Sequence, residues 1–280
     1  LLGSVLCLLV SCVLVFHGLT SLVWLYEQRV HGSRRQHKSL LPGITSWLGE
    51  ALAILAAVAV WPVGLRQPRT QPCRGPEPPV ALITGWPLNR GALLLLEARL
   101  RRDGRDAYAI GYPQTFADPD RTAADLAASL RSLAAQAGAA AVDVVAHGQG
   151  GLLVRAGARD HGLNEIVSRV ITLGSPHQGA ALAALLPIAR FRHLMPGARF
   201  LERLRDGDPL RERRAVVAIH SPSDTIVFPH ELAHLPGVLN ISVEDVGHMG
   251  MLLSEKIYRL VRENLEAVPP DDDASTASSA

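Results

Sequence analysis

Residues 142–155 read VDVVAHGQGGLLVR. An apolar run of strand length leads into a turn of small residues and then into a helical pattern. A strand-to-helix turn of this kind holds its apex residue in a strained and accessible backbone position. Its usual form, G-x-S-x-G, presents a nucleophilic serine there. Here Ala146 stands at the place of the first glycine, a mild change, while Gly150 and Gly151 keep the room that close helix–strand packing needs. At the apex stands Gly148, with no hydroxyl. Covalent acyl transfer through such a turn requires a side chain that can be acylated, and glycine has none.

A turn of this type needs a sheet beneath it. Apolar runs at 80–84, 106–113, 142–147, 168–176, 214–221 and 238–246 have strand length, and helical patterns separate most of them. Continuous apolar strands alternating with helices predict an α/β domain over residues 80–267, with a mostly parallel sheet covered on both faces. Residues 180–213 interrupt the rhythm with apolar residues mixed among arginines. They fit either a lid over the carboxyl ends of the strands or an ordinary pair of surface helices.

The elbow and its surroundings resemble the lipases and esterases of the α/β-hydrolase superfamily, and the resemblance covers most of residues 78–267. In that family the chain order is nucleophile, acid, histidine. SPSDTIVFP (221–229) and VGHMGML (246–252) follow in that order, so the resemblance implies Asp224 as the acid and His248 as the base. Each comes after its own predicted strand, where a carboxylate would orient the imidazole and stabilise its protonated form. ITGWPLNRG (83–91) occupies the place of the family's oxyanion loop, with Thr84 in place of the usual histidine and Gly85 and Trp86 in line. Backbone N–H groups of Trp86 and Gln149 would then form the oxyanion hole. LGSPHQG (173–179) resembles a supporting lipase element in which Ser175 and His177 are expected to be structural, and His147 is given no catalytic role.

The remaining segments bear on location. Residues 1–26 carry no charge and are long enough to cross a hydrocarbon core of about 30 Å as a helix. A signal peptide would show a basic n-region and a small-residue cleavage site, and neither is visible. A second apolar run at 46–65 fits a transmembrane helix that pairs with the first as a hairpin, with Glu50 at the interface; a buried or surface-lying helix would read the same way. Residues 1–65 are thus expected to anchor the chain. Arg29, Arg34, Arg35 and Lys38 between the runs place that loop in the cytoplasm and the following domain on the extracytoplasmic side, although Arg66, Arg69 and Arg74 argue against it. Residues 66–79 read as a Pro/Arg-rich linker and 268–280 as a disordered tail. A net charge of +2 gives no case for nucleic acid, and three cysteines outside the domain give none for a disulfide framework. With no H-E-x-x-H and no phosphate-binding loop, a cofactor-free site is expected.

Gly148 divides the functional expectation. The resemblance, taken with the expected membrane anchor, points to a hydrolase of lipids or other apolar esters, and Gly148 implies very low conventional activity. The competing readings are a pseudoenzyme that binds a lipid or a protein, a hydrolase in which His248 activates water directly, and an ordinary enzyme whose serine has been replaced.

Overall fold

The computed structural model describes residues 2–30, 40–66, 75–114, 118–185, 189–210 and 216–267. Its centre is a six-stranded parallel sheet of β1 (Val80–Thr84), β2 (Ala107–Ala109), β3 (Val142–His147), β4 (Val167–Leu173), β5 (Val216–His220) and β6 (Leu239–Ser242). The order across the sheet is β2-β1-β3-β4-β5-β6. Chain progression reverses between β1 and β3, and such a switch point opens a crevice beyond the carboxyl ends of the two strands. Both the elbow and the Gly85–Trp86 loop emerge there.

The central strands are buried without alternation because both faces are covered. Ala81, Ile83, Val142, Val144 and Ala146 face one core with helices α4 (Pro119–Ala137), α5 (Gln149–Asp160) and α7 (Arg199–Asp206). Val80, Leu82, Val145, Ile171 and Leu173 face the other, with α3 (Leu94–Arg102) and α8 (Glu255–Glu266). Local sequence fixes the ends of these helices. Asp118 accepts from the amides of Asp120 and Arg121 to start α4, and Gly138 ends it in the left-handed region. Caps of this kind each contribute about 1 kcal/mol.

The strand expected at 106–113 stops at Ala109. Gly111 and Pro113 end the ladder, since proline has no N–H to donate. Tyr112 instead turns inward, and its hydroxyl donates to the Thr84 carbonyl at 2.5 Å. The insertion forms α6 (Ala181–Leu185), a 3₁₀ segment (Ala189–Leu194) and α7, while its residues 186–188 and 211–213 lie outside the described residues.

The N-terminal runs form α1 (Leu2–Val30) and α2 (Leu40–Val60), which pack on each other. The His17 ring stacks on Trp47 at 4.9 Å, and the Trp47 indole donates to Ser21 Oγ at 3.1 Å. Among the described residues one segment, Ser46–Leu65, is long and apolar enough to cross a membrane, and Val10–Tyr26 is a shorter apolar helix. α2 also packs on the sheet domain. Ala53 and Ala57 enter the second core, while Leu48, Leu52 and Val58 stay exposed. The expectation that Glu50 sits at a membrane interface is corrected, because it is buried against the domain at 2% exposure. Trp24 of α1 donates its indole N–H to the Pro222 carbonyl. The predicted basic loop at 31–38, linker residues 67–74 and the tail at 268–280 lie outside the described residues.

Candidate active site

Parallel β-strands deliver four loops to one end of the sheet. Gly148 lies between β3 and α5 with φ 55° and ψ −130°, a conformation that residues with a Cβ adopt only under strain. Its N–H donates to the Leu173 carbonyl at 2.9 Å, which ties the apex to β4. The neighbouring glycines are required by space. A Cβ on Gly150 would lie 3.2 Å from Ile83, and one on Gly151 would lie 2.3 Å from Ser175 Oγ.

Asp224 follows β5 and His248 follows β6, and the fold brings them together. His248 Nδ1 and Asp224 Oδ2 are 2.7 Å apart. Asp224 Oδ1 accepts from the amides of Ile226 and Val227, each at 2.8 Å, so both carboxylate oxygens are engaged. The other ring nitrogen faces the elbow: a Cβ at Gly148 would stand 3.3 Å from His248 Nε2. Burial pulls the imidazole pKa down, but the charge of Asp224, its hydrogen bond and the Glu50 carboxylate outweigh burial and hold it above the ordinary 6.5. Chemically this is a carboxylate–imidazole base directed at the apex of a strand-to-helix turn.

Two residues that sequence reasoning did not assign to the site hold His248 in place. His147 Nε2–H donates to the His248 carbonyl at 3.0 Å, and the two rings lie 4.5 Å apart. Burial, then the nearby charge of His248, push His147 down to about 3, so it stays neutral. Glu50 of α2 accepts from the Met249 amide at 2.8 Å and the Gly250 amide at 2.7 Å. The readable signal was a single carboxylate inside an apolar run.

Trp86 and Gln149 flank the switch point. Gln149 is the first residue of α5, where a helix amide has no partner in the preceding turn. A Cβ on Gly85 would lie 2.5 Å from Gln149 Cβ, so the two loops are in close contact. The insertion reaches both residues: Phe191 packs on the Trp86 ring at 5.5 Å, and His193 Nε2 lies 2.7 Å from Gln149 Nε2. Ser175 and His177 are buried behind the elbow. His177 bonds Thr172 Oγ1 at 2.9 Å and faces Arg155, which pairs with Asp208 at 2.5 Å and donates to the Leu204 carbonyl at 3.0 Å. This network fastens the insertion to α5.

No known protein-family profile matches the chain. Solved structures resemble it at low identity. A Bacillus licheniformis lipase in its mature form aligns with a TM-score of 0.59 and 20% identity, over 71% of this chain and 95% of the lipase. Aspergillus fumigatus lipase B aligns with a TM-score of 0.61 and 19% identity, over 74% of this chain and 57% of the lipase. A Listeria innocua gene product gives 0.53 and 17%, over 70% and 96%. The chain therefore has the α/β-hydrolase fold shared with lipases and esterases, with Gly148 between its third strand and the helix that follows.

Proposed function

We propose that the chain is a membrane-associated, lipase/esterase-like protein whose site takes lipids or other apolar carboxylic esters, and that Gly148 occupies its nucleophile position. The observation that carries this reading is the alignment of three parts. Asp224 and His248 are 2.7 Å apart, and His248 Nε2 lies 3.3 Å from where a Cβ at position 148 would stand. Asp224 is the acid, His248 the base, and the amides of Trp86 and Gln149 the oxyanion donors. Phe191 and His193 act as the inner edge of a cover over those donors. Residues 80–267 form the hydrolase domain and residues 1–65 attach it to a membrane on the extracytoplasmic side. The exposed apolar residues Leu14, Val15, Phe16 and Leu19 on α1 and Leu48 and Leu52 on α2 support the attachment.

With Gly148 in place the base has no hydroxyl to activate, so ester turnover should be very low. The residual is about 10³–10⁴-fold over water, the level that an oxyanion hole and binding sustain without a nucleophile. The same glycine favours a second reading, a non-catalytic binding module for lipid or protein. Turnover of short- and long-chain esters by the full-length protein in detergent, with and without Gly148→Ser, tests the proposal. Restored hydrolysis supports the assigned roles, and continued inactivity of a folded Gly148→Ser protein removes them. Stabilisation by an apolar ester of the natural chain, about 2.7 kcal/mol at a hundredfold excess over Kd, would mark the binding role.

A further inference from the structure

The N-terminal helices touch three of the loops that build the site. Beyond the end of α2, the Trp61 carbonyl accepts from Asn89 Nδ2 at 2.8 Å, in the loop after β1. From α1, Trp24 bonds the carbonyl of Pro222 at 3.0 Å, two residues before Asp224. From α2, Glu50 takes the two amides that follow His248. The last contact is the most specific. A buried carboxylate on an otherwise apolar helix is costly unless hydrogen bonds satisfy it. Both oxygens of Glu50 are satisfied by one loop nearly 200 residues away, with separations of 199 and 200 in sequence. The loop also leaves room for it: a Cβ on Gly247 would lie 2.3 Å from Glu50 Oε2 and 3.0 Å from Glu50 Cβ.

We propose that Glu50 is a positioning residue for His248. Its carboxylate pins the backbone at Met249 and Gly250 and so holds the imidazole between Asp224 and the elbow apex. The N-terminal helices then serve as a working part of the site as well as a point of attachment. The catalytic consequence rests on the functional reading above; the positional one rests on the geometry. The titratable groups that face His248 are Asp224 from the loop after β5, His147 from the end of β3 and Glu50 from α2. Among them Glu50 favours the imidazolium, so its loss lowers the pKa of His248.

The test uses the full-length chain in detergent and has two readouts. Nuclear magnetic resonance follows the titration of the His248 ring in the natural chain and in Glu50→Gln, Glu50→Ala and Gly247→Ala. Kinetics follow the same three changes in a Gly148→Ser background. The two Glu50 variants should move the His248 titration to lower pH. Glu50→Ala and Gly247→Ala should lower kcat about ten- to a hundredfold with KM little changed, the cost of misplacing a catalytic group by about 1 Å. Glu50→Gln, which keeps one acceptor, should recover part of that kcat. An unmoved His248 titration in folded Glu50→Gln and Glu50→Ala proteins overturns the proposal, and so does a loss confined to thermal stability. If Gly148→Ser is inactive while the titration still moves, the positioning role stands and the functional reading fails. Should Glu50→Ala not fold, Glu50→Gln and Gly247→Ala carry the same decision.

Discussion

The Asp224–His248 pair and the turn at Gly148 are built to different standards. Asp224 has both oxygens bonded, and His248 is held through its ring by Asp224, through its carbonyl by His147 and through the next two amides by Glu50. The elbow keeps its strained backbone and its tight glycines but carries no functional side chain at Gly148. The strained turn and the carboxylate–imidazole pair therefore stand together with no side chain at position 148. A fold match alone accordingly says nothing of turnover.

The sharpest way to break this contrast is to supply the atom. Gly148→Ser should raise ester hydrolysis on the order of 10⁵-fold, since loss of a triad nucleophile removes most of the acceleration. The same change should lower stability by about 1–3 kcal/mol, because φ at Gly148 disfavours any Cβ. Chemical denaturation would show that cost, and a gain of activity with a loss of stability is the signature of a functional elbow.

In that background, Asp224→Asn should then cost about 10⁴-fold in kcat through the wrong imidazole tautomer, as single-turnover kinetics would show. Next in size is the anchor of the insertion. Arg155→Ala leaves Asp208 buried and unpaired, and should destabilise the chain by about 3–5 kcal/mol in thermal or denaturant unfolding.

A pH profile sharpens the comparison without touching the elbow further. His248 must be neutral to accept a proton, and its pKa is held above 6.5. Activity of the Gly148→Ser variant should therefore fall on the acid side from a midpoint above 6.5. The smallest effect is expected where the insertion meets Trp86: Phe191→Ala removes that ring contact, worth about 1 kcal/mol, and should change KM by about fivefold.

Much of the core was legible because its signals are local. Strands such as VALIT and VDVVAH are mainly apolar runs, and all of their residues, Asp143 and His147 included, are buried between two helical layers. Asp224 and His248 were found through motif order, and the parallel sheet brings them together although 24 residues separate them. Glu50 and His147 were not assigned because their roles depend on contacts 199 and 101 residues away in sequence. The N-terminal runs show the same limit. An apolar helix that packs on a core has the composition of one that crosses a membrane, and the buried Ala53 and Ala57, with the bonds of Glu50 to the Met249 and Gly250 amides, tell that α2 packs on the domain. The end of β2 at Ala109 escaped because the apolar pattern runs on through Ile110 and Tyr112, whose hydroxyl bonds the Thr84 carbonyl outside the ladder.

If Gly148 stands at a nucleophile position, a serine placed there should be activated by His248. Fluorophosphonate labelling of the full-length chain, with the modified residue mapped by peptide mass spectrometry, tests it most directly. The expected result is no labelling of the chain with Gly148, and in Gly148→Ser labelling at position 148 that disappears with His248→Ala. Labelling of the natural chain at any residue, or a folded Gly148→Ser protein that stays unlabelled, would contradict it.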